Sequence, residues 1–318
     1  CAPDINFLKI HPRFHAGALY YFAASVCPNN PEYADFLAYY SDKCLAEYDF
    51  SGWYHDGGGM VSQSDLPYTG TEMRETLRPE RRPVSWTVFG VRDICKRIYK
   101  IVHSRRPDGF YWIHNWDEYW PPVVSFADMI FPGEEYMHSV KEGMRVYVET
   151  PLPKWQSAYN SEAFGAGVQF LSQYRMTVGD LIRLPEEQRV RHTRPLLMMC
   201  LIHDVPLSGE WYPALERPWE IFDRNRVSQA VFHGYWRQRL VTTDNPMVKI
   251  SYYDWDGGRR KMLLVGNLNS GASAVSLAFA EPDLARREAK DEFTGDKIDL
   301  ASPLALEPYG FRIVTLEP

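Results

Sequence analysis

Long apolar runs are missing from this chain of 318 residues. None approaches the roughly 18–20 residues that a membrane span needs. Blocks of basic charge are missing too. Lys and Arg number 35 against 41 Asp and Glu, a net charge of −6, which argues against nucleic acid as the main partner. Cysteine is sparse: five residues, with no C-x-x-C pair and no even framework. Cys44, Cys95 and Cys200 fall among apolar positions and read as buried free thiols, which leaves the compartment open. The sequence has no G-x-S-x-G, so a serine-nucleophile turn has little support. It has no G-x-G-x-x-G and no phosphate-binding P-loop, so no nucleotide cofactor is implied. The chain opens on Cys1-Ala-Pro-Asp without a signal peptide and reads like the interior of a longer sequence.

Aromatic residues, by contrast, are abundant: 14% of the chain, including 10 Trp and 20 Tyr. Large cores account for some of them. Others sit beside polar loop residues, at Trp53-Tyr54, Trp112, Trp116, Tyr119-Trp120 and Trp211-Tyr212. Flat apolar faces with polar edges suit the C–H faces of sugar rings. Two short runs add carboxylates. Ser51-Gly-Trp-Tyr-His-Asp56 leads from an apolar stretch into three glycines, and Asp128-Met-Ile-Phe-Pro-Gly-Glu134-Glu135 ends in a pair of acids. A strand ending in an acid, then a loop and a helix, is how α/β barrels build sites on the carboxyl ends of their strands. Two acids among aromatics suit glycosidic bonds, where one carboxylate attacks or steadies the sugar and another handles the proton.

The spacing predicts strands over 16–24, 51–56, 109–114, 127–131, 167–171 and 196–202. Helices are predicted over 31–48, 86–103 and 219–237. A polar loop over 57–85 is long enough to face a substrate. Short buried strands alternating with helices form the β/α pattern of a parallel sheet. From about residue 243 the pattern changes to short strands with Asp-Gly-Gly, Asn-Ser-Gly and Thr-Gly-Asp turns, an all-β module. The expected fold class is α/β, a (β/α)8 TIM-type barrel over 1–242 followed by an antiparallel β-sandwich over 243–318. About six barrel strands are visible, numbered 3 to 8. The segments 51–56, 109–114, 127–131 and 196–203 would then be strands 4, 5, 6 and 8. The first two strands would come from an N-terminal segment or a separate chain.

The segment 36–56, with Tyr111-Trp-Ile-His114 and Phe131-Pro-Gly-Glu134-Glu135, resembles bacterial glycoside hydrolases with α-galactosidase-like barrels. The tail, Met262-Leu-Leu-Val-Gly-Asn267 and Leu306-Glu-Pro-Tyr-Gly-Phe-Arg312, is similar to the β-sandwich that follows the barrel there. The resemblance implies a glycosidase of polysaccharide-degrading bacteria, with Asp56 as nucleophile and Glu134 or Glu135 as general acid/base. Two departures stand out: Ser51 replaces the usual Asp, and strand 6 offers two adjacent acids.

From the residues alone, Asp56 is either catalytic or a loop-capping acid. Adjacent side chains diverge, so one of Glu134 and Glu135 faces a pocket, Glu134 slightly favoured because it directly follows Gly133; a surface pair is the bland alternative. Asp117-Glu118 is a rival pair, of the kind used with a substrate's own 2-acetamido group. His55, His114, His203 and Asp204 read as polar lining that holds hydroxyls, and Trp53, Trp112, Trp116, Trp120 and Trp211 as the pocket wall. With Asp56, the histidines could instead ligate a divalent metal in an amidohydrolase-type barrel, although no His-x-His is present. No cofactor is otherwise implied. A non-catalytic carbohydrate-binding barrel is the third reading.

Overall fold

A computed structural model describes residues 27–56, 62–63, 85–115, 120–138, 145–161, 165–172, 184–208 and 213–318. The chain divides into two compact units, Cys1–Ile130 with Phe164–Ala166, and Phe131–Ala163 with Gly167–Pro318.

In the first unit, α1 (Pro31–Glu47) starts on Pro31, behind an Asn30 cap whose Oδ1 accepts the Glu32 N–H at 2.9 Å. Its buried residues, Ala34, Ala38, Ser41 and Leu45, recur every three to four positions and form one face. Strand β1 (Gly52–His55) is followed by α2 (Val88–Arg105), β2 (Phe110–Ile113) and β3 (Met129–Ile130). β1 pairs with β2 and β2 with β3, both in parallel. α1 and α2 cover one face of this sheet, around Leu45, Val91, Ile94, Ile98, Val102, Tyr111 and Ile113.

Strand alternation sorts the site residues. Trp53 packs against the helix-covered core with Tyr111 and Ile113. Tyr54, Phe110, Trp112 and His114 touch one another on the opposite face, and Asp56 joins them there. Tyr54 and Phe110 are exposed, at 45% and 43%, so this aromatic face is open.

After the Glu134–His138 turn and a short helix over Val146–Glu149, the second unit continues with α3 (Leu152–Ala158) and two short strands, β4 (Gly167–Val168) and β5 (Phe170–Leu171), where a single strand over 167–171 was expected. β5 pairs in parallel with Leu207–Ser208. The strand expected over 196–203 is instead the second half of a helix, α4 (Glu186–Ile202). Leu196 to Ile202 are all buried, and a helix apolar on every side carries no period to separate it from a buried strand. The helix expected over 219–237 is shorter, α5 (Pro213–Arg224). Arg226 takes a left-handed backbone (φ 54°), and the chain then enters a strand, β6 (Val231–His233).

The remaining sheet is antiparallel. It comprises β6, β7 (Val248–Trp255), β8 (Arg260–Asn267), β9 (Ala289–Asp291), β10 (Lys297–Ile298) and β11 (Phe311–Leu316), in the order β10-β9-β11-β8-β7-β6. One face carries Val248, Ile250, Leu263, Val265, Val314 and Leu316. It shares a core with the short ladders Val241–Thr243/Leu277–Phe279 and Ser273–Val275/Leu304–Leu306. The other face receives α4. A Cβ on Gly266 would sit 2.8 Å from Met198 Sδ and 2.9 Å from Ile202 Cγ2, so β8 and the helix are as close as a bare backbone permits. Ser251 Oγ, on the neighbouring β7, also ties the sheet to the helix by donating to Ile202 O at 2.6 Å.

Candidate active site

Asp56 lies one residue beyond β1, and His114 one residue beyond β2. The parallel register sets His55 opposite Ile113, so the next pair along, Asp56 and His114, meets at the carboxyl end of the sheet. His114 Nδ1 is 2.8 Å from Asp56 Oδ1. An ionised carboxylate only accepts, so the imidazole donates Nδ1–H and its orientation is fixed. The imidazole is buried, whereas the Asp56 side chain is 73% exposed. The pair is therefore a carboxylate presented to solvent and held from behind. Asn115 continues the strand end; it is buried, and among the described residues its Oδ1 accepts no hydrogen bond.

His55 points the other way. Its Nδ1 is 2.6 Å from the Tyr111 hydroxyl, within the helix-covered core, and burial lowers its pKa. Burial also raises the pKa of Tyr111, and that of its neighbour Cys95 to about 11. Asp128 belongs to the same scaffold: its Oδ2 accepts from the Tyr111 N–H at 2.7 Å and lies 2.9 Å from His103 Nε2.

In the second unit, Gly133 turns the chain at φ 120°, where a Cβ would lie 2.3 Å from Leu171 O. Glu134 and Glu135 open the 3-10 turn that follows. Glu135 Oε2 accepts the Gly133 N–H at 2.7 Å, Oε1 accepts from the Tyr159 hydroxyl, and Lys154 Nζ stands 3.6 Å from Oε1. Lys154 also lies over the Tyr136 and Tyr159 rings, at 5.0 and 5.3 Å. Burial raises the Glu135 pKa, against the lowering effect of these donors. Glu134 is half-buried.

His203 is fully buried rather than lining a pocket. It is sandwiched between Trp155 and Trp236 at 5.0 and 5.4 Å; its Nδ1 bonds Met199 O at 2.7 Å, and burial pushes its pKa down to about 3. Asp204 follows α4 in a left-handed conformation (φ 57°), and its Oδ1 accepts from the Tyr253 hydroxyl. Trp112 is half-buried on the open face, while Trp53 and Trp120 pack against the helix-covered core. Trp116, Asp117, Glu118 and Trp211 lie outside the described residues. Among the described residues, no three His, Cys, Asp or Glu side chains are grouped as metal ligands, and no helix is long and apolar enough to cross a membrane. The sequence reading named Tyr54 only among the aromatics beside polar loops, and it missed Phe110 on the open face, Asn115 just past the end of β2, and Tyr159 and Lys154 around Glu135. Alternation along β1 and β2 was the available signal for the first two.

No protein-family model matches the chain, and no curated protein matches its sequence. Solved structures do match its fold. An Anoxybacillus α-amylase is similar over 93% of this chain and 65% of its own, with a TM-score of 0.57 and 14% identity. The trehalose-6-phosphate hydrolase of Bacillus licheniformis is similar over 94% and 72%, with a TM-score of 0.53 and 11% identity. A maltogenic α-amylase from Thermotoga neapolitana is similar over 91% and 67%, with a TM-score of 0.50 and 14% identity. The chain thus spans about two thirds of the length of the amylases it matches. These likenesses show the fold, a (β/α)8-type barrel with a C-terminal β domain.

Proposed function

We propose that the chain hydrolyses a glycosidic bond, with Asp56 as nucleophile or charge stabiliser and Glu135 or Glu134 as proton donor. The observation that carries this reading is the exposed Asp56 carboxylate, fixed by His114 at the carboxyl end of a parallel sheet beside the open Tyr54–Phe110–Trp112 face. The fold adds support, because its structural neighbours include two α-amylases and a trehalose-6-phosphate hydrolase.

The chemistry needs two events at one bond. The glycosidic C–O bond breaks as its oxygen takes a proton, and the sugar ring gains positive charge at the anomeric carbon. An ionised carboxylate close to that carbon offsets the charge or attacks it, and Asp56 has the exposure to reach a substrate. A proton donor at neutral pH needs a raised pKa, and burial supplies that at Glu135. The open aromatic face offers a platform for a sugar ring.

The test is turnover of aryl α-glucosides, aryl α-galactosides and α-glucan oligosaccharides by the wild type and by Asp56→Asn, Glu134→Gln and Glu135→Gln. The α-galactosides are included for the sequence resemblance. Loss of the true acid is expected to cost about 10²–10⁴-fold. Undiminished turnover by Asp56→Asn refutes the assignment, and a loss confined to Glu118→Gln transfers it to the Asp117-Glu118 pair. Sugar binding without turnover by the wild type would favour the carbohydrate-binding reading.

A further inference from the structure

A cleft of about 1020 Å³ opens within the second unit, between the first half of α4 and the turn before β11. It is at the upper end of the size range of small-molecule sites. Glu186, His192 and Arg194 line it from the helix, and Glu307, Pro308 and Tyr309 from the turn. None of the Glu186, His192, Arg194 and Glu307 side chains makes a hydrogen bond or ion pair among the described residues. Charges of both signs thus stand unpaired around one aromatic ring.

The turn is built at a cost. Tyr309 adopts φ 50°, a left-handed conformation that disfavours a ring-bearing residue. It is held there from behind. Buried Asn267 donates Nδ2–H to Glu307 O at 2.9 Å, and the Tyr309 and Gly310 N–H groups donate to Asn269 O and Glu307 O, each at 2.9 Å. A glycine would satisfy the same backbone without strain. A tyrosine kept in such a position, facing a cleft, points to a use for its side chain.

We infer that this cleft, whose lining includes none of the proposed catalytic carboxylates, is a second carbohydrate-binding site that takes a neutral oligosaccharide. A sugar ring offers an apolar C–H face to Tyr309, and hydroxyls that both donate and accept. Arg194 and His192 supply donors, Glu186 and Glu307 supply acceptors. A simple anion meets the Glu186, Glu187 and Glu307 carboxylates here, and a simple cation meets the Arg145, Arg191 and Arg194 guanidinium groups, so the balanced lining favours a neutral polyol over either.

The experiment uses the full chain carrying Asp56→Asn, so that ligand is not consumed, and titrates it calorimetrically with maltohexaose, xylohexaose and a galactomannan hexasaccharide. Tyr309→Gly is the decisive variant because glycine suits φ 50°, so the fold is retained; Arg194→Ala is the second. At least one hexasaccharide is expected to lose one class of sites, or at least about tenfold in affinity, in both variants. Tyr309→Gly in the otherwise wild-type chain should leave turnover of a short aryl glycoside unchanged. A Tyr309→Gly chain that melts higher yet binds all three hexasaccharides as before overturns the inference. So does the absence of any Tyr309-dependent binding. Both readouts are independent of whether Asp56 is catalytic.

Discussion

Replacing Gly133 by alanine isolates what the turn before the acid pair costs. At φ 120° the backbone is in a region that side-chain-bearing residues rarely enter, a penalty of about 1–3 kcal/mol. The new Cβ would lie 2.3 Å from Leu171 O and 2.8 Å from Phe170 Cε1. Leu171 cannot swing aside freely, since its N–H donates to Pro132 O at 2.7 Å. Forcing a methyl into such a site typically adds about 1–3 kcal/mol, for a total of about 2–6 kcal/mol. Gly257→Ala is the internal control. It belongs to the same compact unit and has φ 67°, but a Cβ there meets nothing within 4 Å, so only the conformational cost of about 1–2 kcal/mol applies. Urea unfolding followed by tryptophan fluorescence compares the two, and their difference reads the steric term. The Glu135 carboxylate also takes its hydrogen bond from the Gly133 N–H, so Gly133→Ala should lower turnover as well as stability. If it destabilises by no more than Gly257→Ala, the close approach to Leu171 has been misjudged and the reasoning fails.

His114→Ala leaves the Asp56 carboxylate free to rotate; turnover is expected to fall about 10²-fold with KM little changed, and an unchanged kcat would show that the pair is incidental. Burial holds the His203 pKa at about 3 against an ordinary 6.5, so the unfolded chain binds a proton there that the folded chain refuses. Its contribution is full above about pH 6.5 and is lost as the pH falls towards 3, by about 2–3 kcal/mol at pH 4.5. His203→Asn should remove that part of the acid sensitivity in urea titrations, and an identical pH slope would contradict it. Cys95, its thiol pushed up to about 11 by burial, and fully buried Cys200 should react with a thiol reagent only on unfolding; labelling of both in the native chain within minutes would rule out the packing described.

Much of the architecture was legible in the sequence because period carries it. The faces of α1 and α2 follow from apolar spacing, and the β-rich C-terminal third follows from its turns. α4 was misread for two physical reasons. Residues 196–202 are buried on all sides and show no period, and Pro195, with no N–H to give, looks like a boundary while it sits inside the helix. For the site the sequence offered single candidates but not their pairings. Asp56 and His114 are 58 positions apart, and only the register of two parallel strands brings them together. His55 and Trp53 were placed on the wrong face, because which parity faces the helices depends on what packs above the sheet. His203 looked like a strand-end ligand, and only its two tryptophan neighbours show it to be core.

The closeness of α4 to β8 bears on how such a chain can be cut and recombined. Met262 and Leu264, both fully buried, share the parity of Gly266, the residue that meets the helix. A fragment beginning at the first strand of the sheet would expose that surface to water and would lose the Ser251–Ile202 tie as well. The β domain is therefore not a cassette that can be moved alone. A crossover that preserves it has to fall upstream of residue 184, so that helix and sheet are inherited together.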